Sequence, residues 1–248
     1  MKIIAIIQAR MSSTRLPGKI LLDLNGKPVL QNIVERIKRA KDIDEVIVAT
    51  STNKDDDIVE SFLQEHNMNV FRGSLTNVLE RFYHCAKQYN ADIVIRFTAD
   101  NALIDPDLIH EAVTLYKNKS VDYLYYKPSL PLGMGIEIFS FSALNKAYHE
   151  ASNEECLEHV TPYIKNNPDK FRILRYEGCE NENNYSALRF TMDTEEDYQF
   201  VKTIYNYFGT NDFSYKDVLA ALEEHPLWQS INQNITQKTI MYQGEKAN

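Results

Sequence analysis

The amino-acid sequence predicts a single α/β domain built on a doubly wound, mostly parallel sheet. Short apolar runs rich in β-branched residues alternate with segments of helical periodicity through the first hundred residues. The first run, residues 3–7, is apolar on both faces, which is typical of a strand covered by helices on each side. Alternation of this kind indicates consecutive strand–helix–strand units and therefore a parallel sheet. The length of 248 residues allows one large domain, or one domain with an inserted arm.

The elements of the first half follow from the same two patterns. Apolar residues at helical spacing, among them Val29, Ile33 and Ile37, predict a helix over 28–40. The run 45–51 is a second buried strand, after which helices and strands continue to alternate. The further elements predicted here are a helix from 53 or 54 through 66, a strand over 69–72, a helix over 75–89 and a strand over 91–98.

The rhythm changes in the second half of the chain. Asp105 and Pro106 provide an N-cap and a first helical position, and a turn with proline and glycine separates two short strands. The predicted elements are strands over 123–126 and 136–139, helices over 142–150 and 155–165, strands over 171–176 and 187–193, a helix from 194 through 208 and a last helix over 215–224. We interpret 123–190 as partly an excursion from the main sheet, an inserted region for substrate binding or dimerisation. The polar tail after Trp228 predicts no element.

The composition narrows the class of protein. A formal net charge of −8 argues against a nucleic-acid-binding protein, which normally presents a basic surface. No apolar stretch approaches the roughly 20 residues of a membrane span, and the apolar run after Lys2 is too short for a cleavable signal. Cys85, Cys156 and Cys179 form no CxxC pair and are odd in number, which suits reduced thiols. We therefore expect a cytoplasmic protein whose partners include neither membrane nor nucleic acid.

The loop after the first strand carries a concentrated positive charge. Arg10, Arg15 and Lys19 lie within ten residues, with Ser12 and Ser13 among them and no acidic residue. Ligands of open α/β sheets bind outside the carboxyl ends of the strands, so this loop is placed to hold a polyanion. The loop matches neither a Walker A motif nor GxGxxG. On charge alone, a solvated basic loop is an equal alternative.

Two aspartates stand at the ends of predicted strands. Asp100 follows the strand over 91–98, and Asp193 ends the strand over 187–193. Mg²⁺ usually binds through one or two carboxylates together with substrate phosphates, so two carboxylates from distant strands that meet at one crevice would suit it. Taken singly, each aspartate has a structural alternative as a turn or cap residue.

Three segments together resemble one known family. QARMSSTRLPGK in the N-terminal loop, FTADNALIDP around Asp100 and RFTMDTEED around Asp193 resemble the sugar-activating cytidylyltransferases, a group that includes the 3-deoxy-manno-octulosonate and acylneuraminate enzymes. The branch resembled is that of spore coat polysaccharide biosynthesis protein F. The resemblance implies a Rossmann-like nucleotide-diphospho-sugar transferase fold and a Mg²⁺ cofactor held by Asp100 and Asp193. It also implies a homodimer, with an arm of one subunit bordering the other's site.

The reaction that this resemblance implies is nucleotidyl transfer for surface polysaccharide synthesis. The triphosphate of CTP would lie along the N-terminal loop, the anomeric hydroxyl of a 3-deoxy-2-ulosonic or nonulosonic acid sugar would attack the α-phosphorus, and pyrophosphate would leave. The implied catalytic residues are Arg10, Arg15, Lys19 and Asp100. The implied nucleotide-binding residues are Gln8, Ala9, Arg10, Ser12, Ser13, Lys19, Thr50, Ser51, Arg72, Gly73 and Asn77, and the implied substrate-binding residues are Arg96, Glu137 and His159.

Several of these residues keep structural alternatives. Arg72 is equally well explained as a surface charge, and His159 as a packed or hydrogen-bonded helix histidine. Arg96 lies inside an otherwise apolar strand and needs a partner, which is either the carboxylate of the sugar acid or Glu137. Glu80 and Arg81, which follow Asn77 in the next predicted helix, are further candidates for facing the site.

The sequence departs from the family pattern near the substrate-binding segments. PLGMGIEIF resembles a segment usually written P-x-G-x-D-x-E-x-F, but Gly135 stands where the acidic residue belongs. Ala99 and Ala102 stand where glycine and proline are commoner. These departures keep open a nucleotidyltransferase for another acceptor, such as a sugar phosphate or phosphonate.

Two other classes remain as alternatives. A nucleotide-sugar-using glycosyltransferase of similar fold would carry an Asp-x-Asp motif, which is present only formally as Asp55-Asp56-Asp57. That run opens a predicted helix, where acids are favoured by the helix dipole, and we interpret it as a cap. The other alternative is a non-catalytic nucleotide-binding protein, and the joint presence of Lys19, Asp100 and Asp193 counts against it.

Overall fold

A seven-stranded sheet forms the centre of the molecule in the computed structural model, which describes residues 1–127, 129–177 and 184–237. Its order is β5-β4-β1-β6-β8-β7-β9, and β8 is antiparallel to both of its neighbours while the other paired strands are parallel. The strands of this sheet are β1 (Ile3–Gln8), β4 (Glu45–Ser51), β5 (Asn69–Gly73), β6 (Ile93–Thr98), β7 (Tyr123–Tyr126), β8 (Ile136–Ser140) and β9 (Ile173–Tyr176). A separate two-stranded hairpin pairs β2 (Asp23–Leu24) with β3 (Lys27–Pro28). The predicted α/β class and mostly parallel sheet are confirmed.

Helices cover both faces of the sheet, as the apolar strands require. They are α1 (Val29–Lys38), α2 (Asp57–Glu65), α3 (Val78–Gln88), α4 (Pro106–Lys119), α5 (Phe141–Glu150), α6 (Glu154–His159), α7 (Pro162–Lys165), α8 (Glu195–Phe208) and α9 (Tyr215–Glu224). Side chains cap α4 and α8 where the sequence predicts it, whereas Asp56, at the N-cap of α2, makes no side-chain capping hydrogen bond. Asp105 accepts a hydrogen bond from the amide of Asp107, and Thr194 forms a capping box with Asp197.

The core lies in two layers, one on each face of the sheet. Successive residues of β1 point to opposite faces, so that Ile3, Ala5 and Ile7 pack in one layer while Ile4 and Ile6 pack in the other. All five are at most 2% exposed. Because β1 is buried on both sides, its carboxyl end is held rigidly where the basic loop begins.

Four predicted elements differ from the structure. The helix predicted from 53 or 54 opens with a 3₁₀ turn over 54–56, and its α-helical part is α2. The helix predicted over 155–165 is broken into α6 and α7 at Val160, whose φ is 71°, immediately before a helix that starts at Pro162. The helix predicted from 75 begins at Val78, because the side chain of Asn77 caps it. The strand predicted over 187–193 is an extended segment outside the main sheet, joined to Leu132 by one bridge at Arg189. Asp193 therefore follows an extended segment and does not end a strand.

Part of the region over 123–190 belongs to the main sheet. Its three strands, β7, β8 and β9, form one side of the sheet, so they are not part of the excursion that we expected within this region. The physical reason is that β8 pairs antiparallel with β6, which lets the chain extend the sheet after the parallel units end. A role for this region in substrate binding or dimerisation stays a prediction.

Within the described ranges, no helix is both long and apolar enough to cross a bilayer. Cys85 and Cys156 are free and buried, and burial raises the pKa of the Cys85 thiol well above its usual range. Cys179 lies outside the described residues.

Candidate active site

A polar cavity of about 470 Å³ opens at the carboxyl ends of β1 and β6. This is the position at which open α/β sheets bind their ligands. Three main parts of its wall come from the loop after β1, the turn after β6 and the segment before α8, and residues of α6 and Gln237 complete the lining. The lining residues are Gln8, Ala9, Arg10, Ser13, Thr14, Arg15, Lys19, Ile20, Thr98, Ala99, Asp100, Glu158, His159, Asp193 and Gln237.

Lys19 connects the three parts of the cavity wall. Its ammonium donates to Asp193 Oδ1 at 3.0 Å, to Asp100 Oδ2 at 3.3 Å and to the carbonyl oxygen of Met192 at 2.8 Å. The side chain is 11% exposed. Gly18, which precedes a short 3₁₀ turn, has a φ of 70°, a conformation that favours glycine. The glycine turn thus aims Lys19 inward from the loop.

The two aspartates are oriented by further contacts. Asp100 accepts from the hydroxyl of Thr98. Asp193 accepts from Arg15 Nη2 at 2.9 Å and from Arg189 Nη2 at 3.1 Å. Three cationic side chains therefore surround the Asp193 carboxylate, and the predicted meeting of Asp100, Asp193 and the basic loop at one crevice is what the structure contains.

Arg189 and Asp197 form a buried support behind Asp193. Arg189 donates from Nε and Nη2 to the Asp197 carboxylate at 2.8 and 2.9 Å, and from Nη1 to Gln237. Burial alone would raise the pKa of Asp197, but hydrogen bonds from Arg189, the Asp193 amide and Asn232 outweigh it and lower that pKa. Asp197 also belongs to the capping box of α8. The helix start therefore fixes the backbone of Asp193 as well.

Sequence reasoning missed this support. Arg189 stands two residues before Thr191 in a quoted segment, but nothing local indicates that it pairs with a helix-capping acid. Asn232 and Gln237 come from the tail that predicted no element, and both reach back to Arg189 or Asp197. A lone asparagine or glutamine in a polar tail gives no signal of such a contact.

The pair Asp100 and Asp193 has the donor chemistry of a magnesium site that is completed by a substrate. No group of three or more His, Cys, Asp or Glu side chains within the described ranges is arranged to hold a metal. Mg²⁺ commonly takes one or two protein carboxylates and fills its other positions with phosphate oxygens and water. Two carboxylates that contact the same ammonium fit a cation that binds together with a polyphosphate.

Arg10, Glu158 and His159 form the opposite rim of the cavity. Arg10 is loosely paired with Glu158 at 3.7 Å, and its side chain is 41% exposed. Burial, with the charge of Arg96 acting in the same direction, lowers the pKa of His159. The imidazole is therefore uncharged at neutral pH, and the rim presents Arg10 as its cation.

Arg96 and Glu137 pair with each other beneath the cavity. Arg96 lies opposite Glu137 in the β6–β8 ladder, and its Nη1 donates to that carboxylate while its Nε donates to Gln8 at 3.2 Å. Lys165 contacts the same carboxylate at 2.7 Å, and the hydroxyls of Tyr123 and Thr161 also donate to it. Neither Arg96 nor Glu137 lines the cavity. Of the two partners predicted for Arg96, the structure contains Glu137.

The Tyr125 ring occupies the space into which a side chain at position 135 would extend. A Cβ atom there would lie 3.1 Å from the Tyr125 ring. An acidic side chain at this position would require Tyr125 to move. In this chain the space beside Gly135 is therefore filled by the Tyr125 ring.

Several predicted nucleotide-binding residues lie away from this cavity. Thr50 and Ser51 are fully buried, and Ser51 donates to Asp56. Arg72 pairs with Asp57 and Glu60, both at 2.7 Å. Hydrogen bonds to these acids raise the pKa of Arg72, and the bond to Glu60 has the largest effect. The remaining three are Ser12, which is exposed, Gly73, which ends β5, and Asn77, which caps α3 and lines a neighbouring groove with Arg10.

The fold and the site together define a Rossmann-like α/β nucleotidyltransferase, with a cationic loop and two carboxylates at the carboxyl edge of the sheet. A family model described as Cytidylyltransferase matches residues 4–247. The chain belongs to the cytidylyltransferase family and is a nucleotidyltransferase enzyme.

Individual relatives agree with this membership. The chain is 35% identical over 232 residues to Spore coat polysaccharide biosynthesis protein SpsF of Bacillus subtilis, covering 90% of this chain and 95% of that protein. It is 38% identical over 122 residues to a 3-deoxy-manno-octulosonate cytidylyltransferase of Geobacter sulfurreducens, covering 49% and 48% of the two chains. A solved cytidylyltransferase structure from Leptospira borgpetersenii is similar with a TM-score of 0.86 at 37% identity, covering 96% of this chain and all of that chain.

Proposed function

We propose that this enzyme uses CTP and Mg²⁺ to activate an acid sugar of the 3-deoxy-2-ulosonic or nonulosonic type, forming its CMP-sugar and pyrophosphate for surface polysaccharide synthesis. The observation that carries the proposal is Lys19, whose ammonium lies between Asp100 and Asp193 in a cavity that Arg10 and Arg15 also line. The name of the 3-deoxy-manno-octulosonate cytidylyltransferase relative supports the nucleotide and the class of acceptor, and the name of the SpsF relative supports a role in polysaccharide synthesis.

The residues of the chain act by positioning and by neutralising charge. Arg10, Arg15 and Lys19 would donate to the triphosphate oxygens, which replace Asp193 as the partner of Arg15 and Lys19. The anomeric hydroxyl gives up its proton to solvent as its oxygen bonds to the α-phosphorus, the bond from that phosphorus to the oxygen bridging to the β-phosphate breaks, and pyrophosphate leaves. Mg²⁺ held by Asp100 and Asp193 would supply charge neutralisation and lower the pKa of the attacking hydroxyl. His159, whose pKa is lowered by burial, lines the cavity and would add no positive charge beside the sugar.

A nucleotidyltransferase for a sugar phosphate or phosphonate is the second candidate. The observation in its favour is the ring of Tyr125 beside Gly135, where the family pattern has an acid. The glycosyltransferase alternative is weakened at its motif, whose two acids are Asp55 and Asp57. Asp57 pairs with Arg72 at 2.7 Å, and neither acid is among the residues that line the cavity.

The test is pyrophosphate release from CTP, UTP, ATP and GTP, with Mg²⁺ and a panel of acid sugars, sugar phosphates and phosphonates. We expect turnover with CTP and an acid sugar, and a loss of at least about 100-fold in kcat for Asp100→Asn. Lys27→Met, which removes a surface ion pair with Glu35, is the matched control and should keep full activity. Turnover with only a sugar phosphate or phosphonate would establish the second candidate, and an unchanged rate in Asp100→Asn would overturn the proposed role of that residue.

A further inference from the structure

Arg81 is a buried arginine whose hydrogen-bond donors lack acceptors. The residue is 2% exposed, and its Nε and Nη1 atoms have no hydrogen-bond partner among the described residues. Two other arginines are buried to a similar degree and are fully used. Arg36 donates to the carbonyl oxygens of Ile104, Asn211 and Phe213, and Arg189 donates from all three of its nitrogens.

The side chain lies in a recess beside the main cavity. The recess has a volume of about 170 Å³ and is formed by Val78 and Arg81 of α3 together with residues that it shares with the cavity. The shared residues are Gln8, Ala9, Arg10, Glu158 and His159. A molecule whose anionic part occupies the main cavity can therefore place a neighbouring group in the recess.

The local structure makes room for Arg81 in particular. A Cβ atom on Gly73 would lie 3.0 Å from the Arg81 Cγ and 3.2 Å from its Cβ, so glycine at this strand end allows the side chain to pass. Asn77 fixes the start of α3 one turn earlier by accepting from the Glu80 amide at 2.9 Å. Gly73, which the family resemblance implied to be a nucleotide-binding residue, thus leaves space for the Arg81 side chain.

The Arg81 guanidinium is buried without acceptors for its Nε and Nη1 donors among the described residues, and a bound ligand could supply those acceptors. Burial, and next the charge of Arg10, lowers the pKa of Arg81 to about 10. The acid that attracts it, Asp56, already accepts from the Met11 amide at 2.7 Å and from Ser51. Buried donors without acceptors are costly, so such a group indicates a site that is completed by a bound molecule.

We infer that Arg81 is a specificity-determining residue, which donates to the O2 and N3 acceptors of the cytosine ring and so distinguishes CTP from UTP. This inference rests on the proposed function. Cytosine presents two adjacent acceptors on that edge, which match the planar donor fork of a guanidinium. Uracil carries a hydrogen on N3 and would leave one donor buried and unpaired. A site built on buried donors rejects an analogue that lacks the matching acceptor.

The test is calorimetric binding of CTP, UTP and inorganic tripolyphosphate to the wild type, Arg81→Met and Arg81→Lys. We expect Arg81→Met to weaken CTP binding by about 10- to 100-fold and to bring the CTP-to-UTP affinity ratio close to one. Tripolyphosphate binding should stay within about threefold, because the recess does not hold the phosphates. Arg81→Lys keeps the charge without the planar fork and should recover only part of the ratio.

Thermal unfolding separates recognition from a structural role. Methionine fills a similar volume and removes a buried unpaired charge, so Arg81→Met should unfold at the same or a higher temperature. Lys87→Met, an exposed change on the same helix, is the matched control and should leave all three affinities unchanged. A retained CTP-to-UTP ratio in Arg81→Met would overturn the inference, as would an equal loss of tripolyphosphate binding. Failure of the wild type to bind any nucleotide would instead overturn the proposed function as well.

Discussion

Lys19 is the residue at which the basic loop and the two aspartates meet. Two carboxylates this close to each other repel, and a buried ammonium between them removes that cost. The same ammonium can donate to phosphate oxygens when they enter the cavity. One side chain thus stabilises the site and belongs to the binding machinery, and Arg15 of the same loop adds a second contact to Asp193.

Substitution of the buried Glu137 should lower the free energy of unfolding strongly, because its carboxylate pairs with Arg96 and Lys165. Burial alone would raise its pKa, but the charges of Lys165 and then Arg96 outweigh it and hold that pKa well below the usual range. Glu137→Gln would leave Arg96 and Lys165 without their shared anion. We expect the free energy of unfolding at pH 7, measured with urea, to fall by about 3 to 5 kcal/mol.

The pH dependence of this effect follows from the direction of the shift. A carboxyl whose pKa is lowered by folding stabilises the protein above its unfolded pKa of about 4.3, and this contribution is lost progressively as the pH falls further. The stability difference between wild type and Glu137→Gln should therefore narrow below about pH 4. Glu150→Gln, which removes an exposed pair with Lys170, is the control and should have a much smaller effect. An equal effect of the two substitutions would contradict the buried-cluster explanation.

At the scale of elements, a proline- and glycine-bearing turn fixes the segment that carries Asp193. The Leu132 carbonyl accepts a hydrogen bond from the Phe190 amide, and the Leu132 amide donates to the Leu188 carbonyl, both at 2.9 Å. Gly133, next in the turn, has a φ of 97°, and a Cβ atom there would lie 2.8 Å from the Thr191 amide nitrogen. The close approach of the turn therefore sets the position of Thr191, two residues before Asp193.

Gly133→Ala should both destabilise the protein and disturb the site. The left-handed backbone and the contact with Thr191 together are expected to lower the free energy of unfolding by about 3 kcal/mol. Affinity for CTP should fall as well, because the segment 189–193 must shift. The control is Gly26→Ala, whose φ is 80° but whose added Cβ would meet nothing within 4 Å. It should cost only about 1 kcal/mol and leave affinity intact. Urea unfolding and calorimetry measure the two effects, and equal results for both variants would refute the close-approach argument.

The start of α8 performs two tasks at once. Its capping box satisfies the first amides of the helix, while the same Asp197 carboxylate accepts from the amides of Asp193 and Thr194 at 3.0 and 3.1 Å. Arg189 then reaches Asp193 from the other side. A helix N-terminus that would serve any α/β protein is here part of the frame that orients a site carboxylate.

For the whole molecule, the cations Arg10, Arg15 and Lys19 of the cavity wall are a local exception in a protein of net charge −8, and the same wall also carries Asp100, Glu158 and Asp193. Charge attraction between the cavity and a triphosphate acts over short range and is screened by salt. We expect CTP affinity to fall by about tenfold between about 0.05 and 0.5 M NaCl, measured by calorimetry. Cytidine, which lacks phosphates, is the matched ligand and should bind with little salt dependence. A CTP affinity that is insensitive to salt would show that the arginines and Lys19 do not carry the binding.

Most of the framework was accessible to sequence reasoning because it is periodic or local. The strand over 45–51 and the helix over 215–224 have the predicted bounds. Caps at Asp105 and Thr194 depend on neighbouring residues alone. Helical periodicity did not predict the start of α3 or the break at Val160, since a side-chain cap at Asn77 and a positive φ at Val160 end the helical pattern there.

Patterns and motifs in the amino-acid sequence were enough to predict the fold class, the edge of the sheet at which the basic loop lies, the loop cations and the two aspartates. Which charges face the cavity depends on how the elements pack together. Three arginines form ion pairs within the protein: Arg72 with Asp57 and Glu60, Arg96 with Glu137, and Arg189 with Asp197. Arg81 alone among the buried arginines of the described ranges kept donors without acceptors. The physical reason is that periodicity reports which face of an element is buried, whereas the partner of a charge is set by long-range packing between elements that no local pattern encodes.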